Sequence, residues 1–174
     1  MSKKDQLTKV LATAKSANGG IHTARELAYM MGETYTPAFK KFLADGVEGG
    51  VLRRVARGLY ESTITPPEPT TAIYKIINKL RAGVLNYISL ESQLSHTGEI
   101  SQIVMGRVTV MTKGRSGIFS TPYGVIEFIH TKKSVASIAP NLYVDSEIGM
   151  HRANIKQAKA DLKDCNRNLQ MLEN

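Results

Sequence analysis

Three prolines within four residues, Pro66, Pro67 and Pro69, limit what this chain can fold into more than any other feature. Each removes an amide donor and fixes its own φ, and each disfavours the helical conformation in the residue before it. Neither a helix nor a central strand is expected through Thr65-Pro66-Pro67-Glu68-Pro69-Thr70. The 174 residues therefore read as two small domains, 1–64 and 71–174, joined by a proline-rich linker at 65–70. The expected class is α+β.

Before the linker the apolar spacing is helical. Leu7, Val10, Leu11 and Ala14 share one face of a first helix that is expected to end at Asn18-Gly19-Gly20. Ile21-His22 is a short extended step. Thr23 followed by Glu26 three residues later is a capping box, and it starts a second helix that buries Ala24, Leu27, Ala28 and Met31 and stops at Gly32. Pro37 suits the first turn of a third helix, expected to run through 38–44 and to end at Asp45-Gly46. After the connector Glu48-Gly49-Gly50 come two short strands, 51–55 and 58–61, with Ala56-Arg57 between them.

Three short helices followed by a tight hairpin predict a winged helix-turn-helix domain that binds double-stranded DNA. In that layout the third helix enters the major groove. Thr34, Tyr35, Thr36, Lys40 and Lys41 are residue types that meet base edges and phosphates. The hairpin carries Arg53, Arg54 and Arg57, cations suited to the backbone or to a narrow minor groove. Taken singly, the two lysines also fit a solvated helix face, and the arginines fit protection of an edge strand. The order of the parts favours DNA.

After the linker, Ile73, Ile76, Ile77 and Leu80 mark a helix, and Ser89 is placed to cap another that ends near Gly98. The period then shifts to two. Strands are expected at 108–112, at 118–121, pairing back across a turn at 113–117, and at 125–130. The expectation is an antiparallel arrangement, closed by a helix from about His151 to Met171 with Ile155, Ala158, Leu162 and Leu169 mainly on one face.

Charge alone does not locate a nucleic-acid surface. The net charge is +8, but it is shared evenly: residues 1–62 hold ten Lys and Arg against six acids, and residues 63–174 hold thirteen against nine. The second segment is poor in catalytic patterns. His22, His96, His130 and His151 have no metal-ligand spacing, and Cys165 is the only cysteine. Gly114-Arg115-Ser116-Gly117 lacks the strand–loop–helix setting of a phosphate loop, and Ser92 lacks that of a nucleophile elbow. No enzyme activity, metal or cofactor is expected. Without a continuous apolar run, the chain is expected to be soluble and cytoplasmic.

The run from Tyr87 through Gly98 to Gln102, with Val108-Thr109-Val110-Met111-Thr112 and Tyr123-Gly124-Val125-Ile126-Glu127-Phe128-Ile129-His130, resembles the AbiEi antitoxins of abortive-infection systems. The hairpin sequence Val51-Leu52-Arg53-Arg54-Val55-Ala56-Arg57-Gly58-Leu59-Tyr60 and the C-terminal stretch from Arg152 to Leu162 add to the likeness, which spans about residues 20–165. Asn154-Ile155-Lys156 lacks the proline that often opens the family's last helix. The resemblance implies a type IV toxin–antitoxin protein, carried on mobile elements and active in phage defence. Such a protein represses its own promoter by binding DNA repeats there, and counteracts a cognate nucleotidyltransferase toxin without a stable complex. An ordinary winged-helix transcriptional regulator, whose second domain senses a ligand or dimerises, is the alternative.

Overall fold

In a computed structural model that describes residues 1–14, 19–101 and 105–167, the chain is α+β. Asn18, Gln102, Leu169 and Met171 lie outside the described residues. Two compact units divide between Lys79 and Leu80.

The first unit, Met1–Lys79, begins with α1 (Lys3–Thr13), capped by Ser2 and Asp5 in a reciprocal box. A short strand β1 (Ile21–Thr23) leads into α2 (Ala24–Met30), where Thr23 Oγ1 accepts from the Glu26 amide and Glu26 in turn accepts from the Thr23 amide. Helix α3 (Pro37–Glu48) follows, then the strands β2 (Leu52–Ala56) and β3 (Leu59–Ser62). The three strands form an antiparallel sheet in the order β1-β3-β2, so the extended step at Ile21-His22 is a strand paired with Tyr60 and Glu61. Leu7, Leu11, Leu27, Phe39, Leu43 and Leu52 form its core. Helix α3 does not end at Asp45-Gly46: Gly46 is buried within it, beside the side chains of Leu7 and Leu52.

The proline-rich stretch packs against this unit instead of standing clear of it. Pro67 is buried, and Thr65 Oγ1 donates to the Leu11 carbonyl at 3.0 Å. Helix α4 (Ala72–Leu80) starts just beyond, with Ala72, Ile73, Ile76 and Ile77 buried. It is tied back through an ion pair of Lys79 with Glu26 and a hydrogen bond from Lys75 Nζ to the Gly19 carbonyl. The division therefore falls at the last residue of α4, fifteen residues beyond the 64/65 boundary read from the prolines. Prolines exclude regular structure, but they do not exclude packing.

The second unit, Leu80–Asn174, is built on a six-stranded sheet of β4 (Asn86–Ile88), β5 (Arg107–Thr112), β6 (Gly117–Thr121), β7 (Gly124–His130), β8 (Leu142–Asp145) and β9 (Met150–Ala153). The spatial order is β6-β7-β5-β4-β9-β8. The sheet is mixed: β5 runs parallel to β7 and β4 parallel to β9, while the other neighbours are antiparallel. This corrects the expected antiparallel hairpin across 113–117. Strand β6 pairs only with β7, and β7 inserts between β6 and β5. The more apolar strand takes the interior place, with Ile126 and Phe128 fully buried, and β6 takes the edge with Ile118 65% exposed. A short connection thus steps over one strand, about 10 Å at two inter-strand spacings.

Helix α5 (Leu90–His96), the short helix α6 (Val135–Ile138) with a following 3-10 turn (Ala139–Asn141), and α7 (Ile155–Asp164) complete the unit. Their apolar residues Leu90, Leu94, Ile138, Ala158 and Leu162 pack with Tyr87 and Met111. Three strands were not read from the sequence. Strands β4, β8 and β9 are three to four residues long, too short for alternation to register, and His151 lies in β9 and not in the closing helix. That helix starts at Asn154, whose side chain accepts from the Gln157 amide at 2.8 Å, so a cap does the work of the missing proline.

Candidate nucleic-acid interface

Helix α3 owes its exposed residues to its buried ones. Thr36 Oγ1 accepts from the Phe39 amide at 3.1 Å and Pro37 occupies the first turn, which fixes where the helix begins. Phe39 and Leu43 are 1% and 0% exposed, and at 100° per residue they turn Lys40, Lys41 and Ala44 outward. Thr36 is therefore a structural cap, and Thr34 is exposed in the preceding turn. Tyr35 is 38% exposed, and the Arg25 guanidinium lies 5.3 Å from its ring centroid. That places an arginine of α2 beside the approach to α3.

In the hairpin, Leu52 and Val55 are buried, while Arg53, Arg54 and Arg57 are exposed. The register slips between Arg54 and Ala56, a bulge that re-aims the side chains beyond it. Arg54 Nε donates to the Ala56 carbonyl at 3.4 Å. Arg53 goes elsewhere and forms an ion pair with Glu61, which is only 4% exposed.

Between α3 and the hairpin is a cleft of about 470 Å³, lined by Ala24, Tyr35, Lys40, Ala44, Val47, Arg54, Arg57, Gly58 and Tyr60. Four of the eight sequence-selected residues, Tyr35, Lys40, Arg54 and Arg57, meet there. Thr34, Thr36, Lys41 and Arg53 do not line it. Among the described residues no acid lines it, and Lys40, Arg54 and Arg57 make no ion pair. Such a concavity holds uncompensated positive charge on an apolar floor. Arg25 and Tyr60 were missed by the sequence reading. The burial of Ala24, Leu27 and Ala28 on α2 leaves Arg25 outward, a signal present in the sequence, whereas Tyr60 reaches the cleft only through strand pairing.

The second unit holds a buried polar network. Asp161 of α7 is 1% exposed and accepts hydrogen bonds from Tyr87 Oη at 3.0 Å, Ser89 Oγ at 2.7 Å and Gln157 Nε2 at 2.9 Å. Burial raises its carboxyl above the usual 3.8, and the three donors oppose that shift. Ser89 spends its hydroxyl here, not on the cap expected of it, and Leu90 beside it takes a left-handed φ of 58°. A cavity of about 310 Å³ is lined by Met111, His130, Thr131, Lys132, Lys133, Asp161, Asp164 and Cys165. Lys133 pairs with Asp164 at 2.8 Å, and burial holds the Cys165 thiol above its ordinary pKa, in the protonated form. Among the described residues no group of three or more His, Cys, Asp or Glu is placed to hold a metal ion, and no helix is long and apolar enough to cross a membrane.

No protein-family model matches the chain, and no curated protein matches it. Among solved structures, the chain is similar to the crystal structure of the RV2827C protein from Mycobacterium tuberculosis, with a TM-score of 0.52 and 12% sequence identity. The match covers 78% of this chain and 48% of that one, so the chain spans about half the length of its structural neighbour. At this identity the likeness speaks to the fold alone.

Proposed function

We propose that the first unit is a winged helix-turn-helix domain that binds double-stranded DNA, with α2 and α3 as the two helices of the motif and β2–β3 as the wing. The observation that carries this reading is the cleft between α3 and the hairpin, walled by Lys40, Arg54 and Arg57 without an acid. Helix α3, with 12 residues, is about 18 Å long, and its diameter of about 10–12 Å with side chains fits a major groove about 12 Å wide. With α3 in that groove, the wing reaches the neighbouring backbone. The resemblance to AbiEi antitoxins extends the proposal: the chain represses its own promoter and counteracts a cognate nucleotidyltransferase toxin, as a functional partner and without a stable complex.

A second reading is favoured by one observation, the cavity in the second unit with Asp161 on its wall. On that reading the chain is a winged-helix regulator whose second unit takes a ligand. A nucleotidyltransferase-like reading frame adjoining the gene favours the antitoxin reading.

The test is fluorescence anisotropy of the whole protein on its own upstream DNA and on a scrambled duplex at several salt concentrations. The expected result is at least about a thousandfold preference for the upstream sequence. Arg54→Ala and Arg57→Ala should each lower the salt slope by about one unit. Weak and equal binding to both duplexes, or slopes untouched by both substitutions, would refute the proposal.

A further inference from the structure

We infer that Lys41, and not its neighbour Lys40, is the residue of α3 that distinguishes one DNA sequence from another. This rests on the duplex-binding reading above and divides its labour among residues. Phe39, Leu43 and Gly46 are buried and fix the inward side of α3. Lys40 lies about 100° from Phe39 around the helix, and with Ala44 and Val47 it lines the cleft opposite Arg54 and Arg57. Three cations around one concavity without an acid suit a sugar–phosphate strand, which carries charge and no sequence.

Lys41 lies a further 100° round, exposed and outside the cleft. Among the described residues it makes no ion pair. Its ridge of α3 comprises Pro37, Lys41, Asp45 and Glu48, all exposed. The ridge changes sign along its length. Asp45 and Glu48 are repelled by phosphates, so the C-terminal end of this ridge stays away from the duplex and its N-terminal end approaches it. Lys41 is the ridge's one long donor at that end, and a lysine donates well to guanine O6 and N7. Thr36 is held as the cap of the helix.

The experiment selects duplexes from a random-sequence pool with the whole protein, then measures anisotropy on the selected duplex and a scrambled one. Wild type, Lys41→Ala and Lys40→Ala are compared, with thermal melts as the check of folding. A Lys41→Gln variant replaces the alanine form if the latter melts early. Lys41→Ala should lose about tenfold to a hundredfold on the selected duplex, little on the scrambled one, and should relax the selected sequence at one position or more. Lys40→Ala should recover the wild-type sequence, weaken both duplexes by the same factor and lower the salt slope by about one. If Lys41→Ala selects the wild-type sequence, or if the two variants exchange behaviours, the inference is overturned while duplex binding stands. A wild-type protein that retains no duplex overturns both.

Discussion

His22 sits in β1 with none of its surface exposed, and burial holds its imidazole below the usual 6.5, with Glu26 opposing the shift and Lys79 adding to it. In the folded protein it is neutral, whereas the unfolded chain takes up a proton as the pH falls below 6.5. Its contribution is therefore complete above that value and is lost as the pH drops through the depressed folded value. Asp161 has the opposite sign. Its folded carboxyl is raised, so between 3.8 and the raised value the folded state holds a proton that the unfolded chain releases, and acidification through that window stabilises the second unit. Hydrogen exchange across pH 7 to 4 should show protection falling in residues 19–62 and that fall flattened by His22→Gln. In residues 86–164, Asp161→Asn should remove the gain on acidification. Identical pH profiles for variant and wild type would count against either assignment. Arg53 is a different case at the same scale. Because it pairs with the buried Glu61, Arg53→Ala should lower the melting temperature and leave the salt slope of DNA binding unchanged.

Among the elements, α3 and the turn before β1 each contain a glycine, and only the one in the turn is required. Gly46 has helical geometry, and a Cβ there would meet Leu7 and Leu52 side chains at 3.5 Å, an ordinary contact. Gly46→Ala should therefore be neutral or stabilising by up to about 1 kcal/mol, the helix-propensity difference. Gly20 has φ +87°, and a Cβ there would lie 2.7 Å from the Pro67 nitrogen and 2.8 Å from the Thr65 carbonyl oxygen. Neither backbone atom can swing aside, so Gly20→Ala should cost about 2 kcal/mol or more through strain and displaced packing. Urea melts of both variants check the pair, and equal stabilities would show that the proline stretch does not hold its place against Gly20. The Arg107, Arg167, Glu91 and Glu127 group ties β5, β7, α5 and the residues just after α7 together in the second unit, again through side chains far apart in sequence.

At the scale of the whole molecule, the boundary decides which fragments are stable. A fragment ending at residue 64 loses the buried face of α4, the Lys79–Glu26 ion pair and the Lys75 contact with Gly19. Residues 1–79 should melt cooperatively and resist limited proteolysis, and residues 1–64 should melt lower by several degrees. A 1–64 fragment as stable as 1–79 would restore the boundary at the prolines.

Much of the first unit was legible because its signals are local. The capping box at Thr23 and Glu26, the Pro37 start and the 3.6-residue spacing of Leu7, Leu11, Leu27, Phe39 and Leu43 are each set within a turn or two of helix. The basic residues near the cleft could likewise be named from their order along the chain. What the sequence could not separate was their company, since Arg53 and Arg54 are adjacent yet one turns to Glu61 and the other to the cleft. In the second unit, strands as short as β4, β8 and β9 carry no periodicity that stands above chance.

By itself, then, the amino-acid order determined where the helices of the first unit start, which of their faces are apolar, and that a basic helix is followed by a basic hairpin, because caps and periodicity act over a few residues. The tertiary structure decided that β7 would slip between β5 and β6, that the prolines would pack against Gly20, and that Lys40 would share a cleft with Arg54 and Arg57 while Lys41 would not. Those outcomes depend on competition among distant strands and side chains for the same buried space, and that competition is settled only when the whole chain is in place.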